Sequence, residues 1–186
     1  MNKASLGRKR ELDCFADFIK KPNFSALLVR GVGGIGKTWL LKQFSEKATK
    51  NDHWVHFLDL DAFHGVTDLG YLLAEALSSG KYLIGKEANS WKNLLQSNPE
   101  ISNQLLPVIG YSSKIDVVSN LYHVIDLITQ QIPDKKQLVI ILDTIDASRN
   151  IEKTVLFLES LLRIFSDKAK VKLIFASRWL PSLERL

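Results

Sequence analysis

The chain has 186 residues, of which 46% are hydrophobic and 24% charged, a composition that predicts one globular domain with a substantial core. The single cysteine excludes an internal disulfide, and the longest apolar run, LVIIL, is far too short to span a bilayer, so we expect a cytoplasmic protein without a membrane partner. The formal net charge of +5 suits an anionic ligand, although we expect lysines scattered over solvated faces to account for it.

The first half of the chain alternates helical and strand patterns. Apolar residues recur at helical spacing over Lys9–Lys20, and Pro22 stops the pattern, so an amphipathic helix is predicted there. Its cysteine, Cys14, is expected to lie in the core. The apolar run Ala26–Arg30 ends in glycines and predicts a buried parallel strand, and Thr38–Thr49 is predicted to be the helix that follows.

Three further strands are predicted, at Trp54–Leu60, Leu138–Leu142 and Val171–Ala176. An amphipathic helix at Thr154–Phe165 separates the last two. Strands that alternate with helices indicate a parallel α/β sheet with right-handed crossovers. The predicted fold class is therefore α/β, with an N-terminal helix before the first strand.

The interval 61–137 is less regular than the rest of the chain. Helical spacing of apolar residues recurs over Leu69–Leu77 and again from Ile115 to the stop at Pro133, with weak periodicity between them. We predict one domain over 1–186 with a partly helical insertion at 61–137.

A glycine-rich stretch, GVGGIGKT, joins the first predicted strand to the next helix. It fits the pattern G-x-x-x-x-G-K-[ST] in the required context. Glycines let the backbone N–H groups approach a phosphate, and the helix start points its positive end at the same anion. Lys37 is predicted to contact the β- and γ-phosphates, and Thr38 to bind Mg²⁺. The residues predicted to bind nucleotide here are Gly31, Gly33, Gly34, Ile35, Gly36, Lys37, Thr38 and Trp39.

Such a loop needs a partner carboxylate at the end of an apolar strand, and LVIILDTID supplies two acidic residues. Asp143 is predicted to hold Mg²⁺ through water. Thr144 follows it, where many P-loop ATPases have a glutamate that polarises the attacking water, so we expect slow hydrolysis. Asp146 is the alternative water-orienting or metal-supporting group. Arg178, at the end of the last strand, is predicted to pair with the γ-phosphate or with these carboxylates.

Four segments, in this order and spacing, resemble the nucleotide-binding core of the STAND-class P-loop ATPases, which include NB-ARC and NACHT proteins and are related to AAA+ ATPases. They are LGRKREL (Leu6–Leu12), GVGGIGKT (Gly31–Thr38), LVIILDTID (Leu138–Asp146) and LIFASR (Leu173–Arg178). The resemblance implies a three-layer sandwich in which Gly7 and Arg8 lie against the adenine and ribose. It also implies that Arg178 is a sensor of the γ-phosphate and that ATP or ADP and Mg²⁺ are the cofactors.

The resemblance further implies a switch function in signalling or defence. In such proteins ADP holds a closed monomer and ATP opens it for self-assembly, while additional C-terminal domains sense the trigger and deliver the output. The chain ends soon after Arg178, so we interpret it as a fragment of a larger multidomain protein. In the related sheet order, the strand before the phosphate loop would then have an exposed edge.

Three other functions remain open at this point. A small-molecule or nucleoside kinase has the same loop, but kinase lids use arginines to clamp the transferring phosphate, and no arginine occurs from Gly31 to Ser148. An AAA+-like ATPase associated with nucleic acid would suit the basic charge, yet no aromatic and basic stripe is apparent, so nucleic acid is not the expected partner. A scaffold with a purely structural nucleotide would tolerate Thr144.

Overall fold

In the computed structural model, the described residues are 7–63, 116–147 and 151–178, with single positions between 73 and 99. The helices and strands are α1 (Lys9–Lys20), β1 (Ser25–Arg30), α2 (Lys37–Lys50), β2 (Trp54–Asp59), α3 (Asp116–Gln131), β3 (Leu138–Asp143), α4 (Ile151–Ile164) and β4 (Val171–Ser177). Short 3-10 helices follow β2 at Leu60–Phe63 and β3 at Ile145–Ala147. Every helix and strand predicted within these ranges is present. Among the helices of the described ranges, none is long and apolar enough to cross a membrane.

The strands form a parallel sheet in the order β1-β4-β3-β2. The predicted α/β class and parallel sheet are therefore confirmed. In the described part of the chain, β1 pairs only with β4, which leaves the other side of β1 as the predicted exposed edge. A cleft of about 570 Å³ runs beside this edge between β1 and α4, with mainly apolar walls that include Phe24, Leu28 and Leu162.

Helices cover both faces of the sheet, as in a three-layer sandwich. Alternate residues of β3 point to opposite faces because side chains alternate along a strand. Leu138, Ile140 and Leu142 join the core formed with α3 and α4, whereas Val139 and Ile141 join the core formed with α1 and α2. A strand that is buried on both faces needs the continuous apolar run that LVIIL supplies.

Three sequence predictions have a different outcome from the others. β1 pairs as a parallel strand, but its residues are half-buried or exposed rather than buried as predicted, because among the described strands it has a neighbour on one side only. Cys14 is exposed, so its predicted place in the core is wrong: α1 buries the narrow face of Phe15, Phe18 and Ile19, and Cys14 lies outside that face. The predicted helix at Leu69–Leu77 lies mostly outside the described residues, although Leu73 and Leu77 are described and pack in the core on the α3 and α4 side.

Candidate nucleotide-binding site

The carboxyl ends of three strands meet the start of α2 at one edge of the sheet. The register pairs Arg30 of β1 with Ser177 of β4, and the N–H of Gly31 donates to the Ser177 carbonyl at 3.4 Å. The glycine-rich loop, Gly31–Gly36, therefore begins directly beside the end of β4. The carboxyl ends of the strands in an open parallel sheet are where ligands bind in doubly wound folds.

Two glycines of the loop adopt backbone conformations that other residues rarely accept. Gly34 has a φ of +76° and Gly36 a φ of +89°, both in the left-handed region that favours glycine. Gly36 is the N-cap of α2 and provides no side-chain cap. The first N–H groups of α2 are thus left for another acceptor, which is the arrangement that binds phosphate at a helix start.

Lys37 lies folded over the loop that precedes it. Its Nζ donates to the Gly31 carbonyl at 2.7 Å and to the Val32 carbonyl at 3.1 Å. The ammonium group is therefore held above the loop by two neutral carbonyl acceptors. A phosphate oxygen forms a stronger, charge-assisted bond with the same group.

The segment before α1 contacts the loop through Arg8. Its guanidinium donates to the Ile35 carbonyl at 2.5 Å and forms an ion pair with Glu11 at 2.8 Å. That ion pair holds the pKa of the Glu11 carboxyl below its usual value. Gly7 is exposed. Arg8 therefore fastens the N-terminal segment to the phosphate loop, which is the segment that the STAND resemblance assigns to adenine and ribose.

Asp143 ends β3 as a buried carboxylate facing α2. Its Oδ1 accepts a 2.8 Å hydrogen bond from the Thr144 N–H, whereas Oδ2 is buried without a hydrogen bond from the described residues. Burial raises the pKa of Asp143, the Thr38 hydroxyl partly opposes this effect, and the negative charge of Asp59 adds to it. A hydroxyl beside an unsatisfied carboxylate oxygen fits Mg²⁺, which takes one or two such protein ligands and completes its shell with phosphate and water.

Thr144 has a strained backbone at this point. Its φ is +55°, a left-handed conformation that is costly for a β-branched residue, about 1–3 kcal/mol. This conformation directs the Thr144 N–H at Asp143. The strain therefore occurs in the residue that stands where many P-loop ATPases have a glutamate.

Asp59 also lies at the carboxyl ends of the strands, and it was not among the site residues predicted from the sequence. It ends β2 and pairs in register with Asp143, so the two side chains leave neighbouring strands on the same face. Its Oδ1 accepts a 3.1 Å hydrogen bond from the Asp61 N–H. The only available signal was that WVHFLD, like LVIILD, ends an apolar strand with an aspartate.

Arg178 and Asp146 form an ion pair at the mouth of the site. The backbone N–H of Arg178 donates to Asp146 Oδ1 at 3.1 Å, and the side-chain Nε of Arg178 lies 3.4 Å from Asp146 Oδ2. The guanidinium also lies over Gly33, where an added Cβ would be 3.6 Å from Nε. The arginine side chain is 65% exposed and the aspartate 16%, so the arginine is free to turn toward a ligand while Asp146 stays in place.

The structure brings most of the predicted site residues to one cavity of about 220 Å³. Its lining consists of Gly33, Gly34, Gly36, Lys37, Thr38, Asp143, Thr144, Asp146 and Arg178. Gly7, Arg8, Gly31, Ile35 and Trp39 are not part of this lining. Gly31 and Ile35 instead supply the carbonyls that Lys37 and Arg8 contact, and Trp39 packs against the core between α1 and α2.

Comparisons with known proteins agree with this architecture. No family model and no curated protein matches the chain. Drosophila ORC bound to DNA has a similar fold, with a TM-score of 0.56 and 16% identity over 96% of this chain and 39% of its own. Aeropyrum pernix ORC1 in complex with DNA gives 0.54 and 19% over 97% and 41%, and Cdc6p from Pyrobaculum aerophilum gives 0.51 and 14% over 100% and 42%.

The chain has a P-loop NTPase fold. At these identities the likeness shows the fold alone, so it agrees with the predicted P-loop fold and does not extend to the STAND subclass. The P-loop domain spans about two fifths of the length of these neighbours.

Proposed function

We propose that this P-loop domain binds ATP and ADP with Mg²⁺ and hydrolyses ATP slowly, as an ATPase module of the AAA+-related type. One observation carries the proposal: a single cavity combines the uncapped start of α2 with Lys37, Thr38, Asp143 and Arg178. These groups are a phosphate cradle, a metal site and a cation for the γ-phosphate. These residues come from three separate segments of the chain, so their meeting in one cavity is not expected by chance.

Each group has a distinct proposed role. The loop N–H groups and Lys37 bind the β- and γ-phosphates, and Thr38 and Asp143 hold Mg²⁺, with the charge of Asp59 adding to the attraction for the cation. When bound, Mg²⁺ neutralises charge that develops on the phosphate oxygens. Asp146 is the carboxylate that orients the attacking water. No glutamate follows Asp143, so turnover is slow.

We further propose that the module acts as a nucleotide-dependent switch, as in STAND ATPases. This switch function is supported by the four segments that resemble that class and by the Arg178–Asp146 pair, which gives the arginine one partner without nucleotide and a second in ATP. Further C-terminal domains and self-assembly in the parent protein belong to the same proposal. Among the described strands, one side of β1 is unpaired, which is consistent with further structure beside the sheet.

The decisive experiment is calorimetric titration of ADP, ATP and GTP into the purified chain, with and without Mg²⁺. We expect binding of ATP and ADP and little binding of GTP. A chain that binds none of the three nucleotides, while circular dichroism shows it folded, would refute the proposal.

Removing the Asp143 charge should uncouple nucleotide binding from Mg²⁺. Asp143→Asn is expected to bind ADP without metal as the wild type does, and to lose about tenfold or more in Mg²⁺-ATP turnover. Because burial raises the pKa of Asp143, the Mg²⁺-dependent part of ATP affinity should decline as the pH falls toward that pKa, and the decline should be absent in Asp143→Asn. Calorimetry across pH tests both statements; an equal decline in the variant would contradict them.

Arg178→Ala should distinguish ATP from ADP. Loss of a charge-assisted contact with the γ-phosphate is expected to weaken ATP binding by about tenfold to 100-fold, since such bonds contribute roughly 1.5–3 kcal/mol, and to leave ADP binding unchanged. Arg163→Ala is the matched control, because Arg163 is an exposed arginine on α4 that lines the cleft beside β1. Equal weakening of ATP and ADP would show that Arg178 does not read the γ-phosphate.

Association with nucleic acid is the second candidate function. Nucleic acid is not the partner expected from the sequence, but two structural neighbours, Drosophila ORC and Aeropyrum pernix ORC1, are complexes with DNA. The chain also carries a net charge of +5. Salt-sensitive binding of duplex DNA that also accelerates ATP hydrolysis would support this candidate. Unchanged hydrolysis with saturating DNA would exclude it for this chain.

A further inference from the structure

Thr144 differs from the other non-glycine residues of the described ranges that have a left-handed backbone. Asp52 and Lys135, with φ of +57° and +67°, are exposed residues of turns, where such conformations are usual. Thr144, with a φ of +55°, is β-branched and lines the cavity of the candidate site. A costly conformation of this kind persists only where the surrounding contacts enforce it.

The contacts on the two sides of Thr144 fix different parts of the site. On the preceding side, its N–H donates to Asp143 Oδ1 at 2.8 Å, which fixes one of the two carboxylate oxygens. On the following side, the short 3-10 helix Ile145–Ala147 contains Asp146, whose Oδ1 accepts the backbone N–H of Arg178 at 3.1 Å. The φ angle of a residue sets the direction of the chain after its N–H. The left-handed φ of Thr144 is therefore the rotation that allows both contacts at once.

The hydrogen bond from Thr144 decides which oxygen of Asp143 is left for a metal ion. With Oδ1 bonded to the N–H, the remaining oxygen is Oδ2, which is buried without a hydrogen bond from the described residues. Asp143 is only 1% exposed. A buried carboxylate oxygen without a donor is costly unless a cation lies beside it. The main chain at Thr144 thus orients the oxygen that a metal ion would satisfy.

We propose that Thr144 is a positioning residue of the nucleotide site. Its N–H holds Asp143 with Oδ2 toward Mg²⁺, and its left-handed backbone places Asp146 against Arg178. The metal half and the arginine half of the site are thereby joined at one residue, which acts through its main chain. This inference rests on the proposed function, because it concerns how the same site holds Mg²⁺ and ATP. A residue that served only to turn the chain after β3 would have no effect on the metal.

The test replaces the Thr144 N–H by an oxygen atom. Thr144→Ala is compared with its ester counterpart, in which lactic acid introduced by nonsense suppression takes the place of the alanine, so the two proteins differ only in an amide or an ester link. Calorimetry gives the dissociation constant of ATP with Mg²⁺ and with EDTA, and the ratio of the two is the Mg²⁺ effect. We expect the ester to reduce the Mg²⁺ effect about tenfold relative to Thr144→Ala. Both proteins should bind ADP without Mg²⁺ as the wild type does.

Thr144→Gly is the second variant, and it decides the matter if circular dichroism shows the ester protein unfolded. Glycine keeps the N–H and accepts a positive φ without strain. We therefore expect an unchanged Mg²⁺ effect and a higher urea midpoint of unfolding than that of the wild type.

Three results would overturn the inference alone and leave the proposed ATPase function standing. They are an ester protein with the same Mg²⁺ effect as Thr144→Ala, a loss of the Mg²⁺ effect in Thr144→Gly, and a urea midpoint that does not rise in Thr144→Gly. A wild-type chain that binds ATP equally well with Mg²⁺ and with EDTA would refute the proposed metal site, and the inference with it.

Discussion

Lys37→Ala is expected to abolish nucleotide binding while leaving the domain folded. Within the described part of the chain, the Lys37 ammonium contacts two loop carbonyls, those of Gly31 and Val32, and in the proposed complex it bonds the β- and γ-phosphates. Loss of two charge-assisted bonds of roughly 1.5–3 kcal/mol each weakens ADP and ATP binding by about 100-fold or more. Calorimetric titration of both nucleotides measures this loss directly.

The matched control for this prediction is Lys42→Ala. Lys42 is an exposed lysine of the same helix and is not part of the cavity lining, so the substitution changes charge and helix propensity in the same way. Both variants should unfold in urea with free energies within about 1 kcal/mol of the wild type, because the freed loop carbonyls can bond water. If Lys37→Ala kept its affinity for ADP and ATP, the assignment of Gly31–Thr38 as a phosphate-binding loop would be wrong.

Acid is expected to destabilise the domain through His56. The side chain lies on β2 and is fully buried, and burial lowers its pKa from 6.5 to about 4, against a weaker opposing contribution from the Ala76 backbone. Between these values the unfolded chain binds a proton that the folded chain does not, so folding stability falls as the pH falls. The full loss is about 3 kcal/mol and is complete below about pH 4.

Urea unfolding of the wild type and of His56→Gln, at about pH 7 and about pH 4.5, tests this prediction. The free energy of unfolding of the wild type should fall by about 2–3 kcal/mol more than that of the variant. Asp143 and His53 also titrate differently in the folded chain, but both are present in each protein, so they cancel in the difference. Parallel curves for the two proteins would show that His56 is not the acid-sensitive group.

Local sequence patterns were sufficient for the elements that border the site. The spacing of Phe15, Phe18 and Ile19 predicted α1 with its observed ends, Lys9–Lys20, and LVIIL predicted β3, buried on both faces. Patterns were less informative where burial depends on partners. Cys14 lies in the same helix but outside its buried face. The sequence pattern could not show how narrow a face α1 would bury.

The sequence by itself determined the phosphate loop, because Gly31–Gly36, Lys37 and Thr38 are contiguous and their geometry depends on a local turn into a helix. Asp143, Asp146 and Arg178 were also predicted from the sequence to join this loop, but only the tertiary structure decided which residues are direct neighbours there and added Asp59. The strand order β1-β4-β3-β2 places Arg178 over Gly33, and the register of β2 with β3 places Asp59 beside Asp143. Strand order and register arise from packing across the whole sheet, so no single segment of the chain encodes these neighbours.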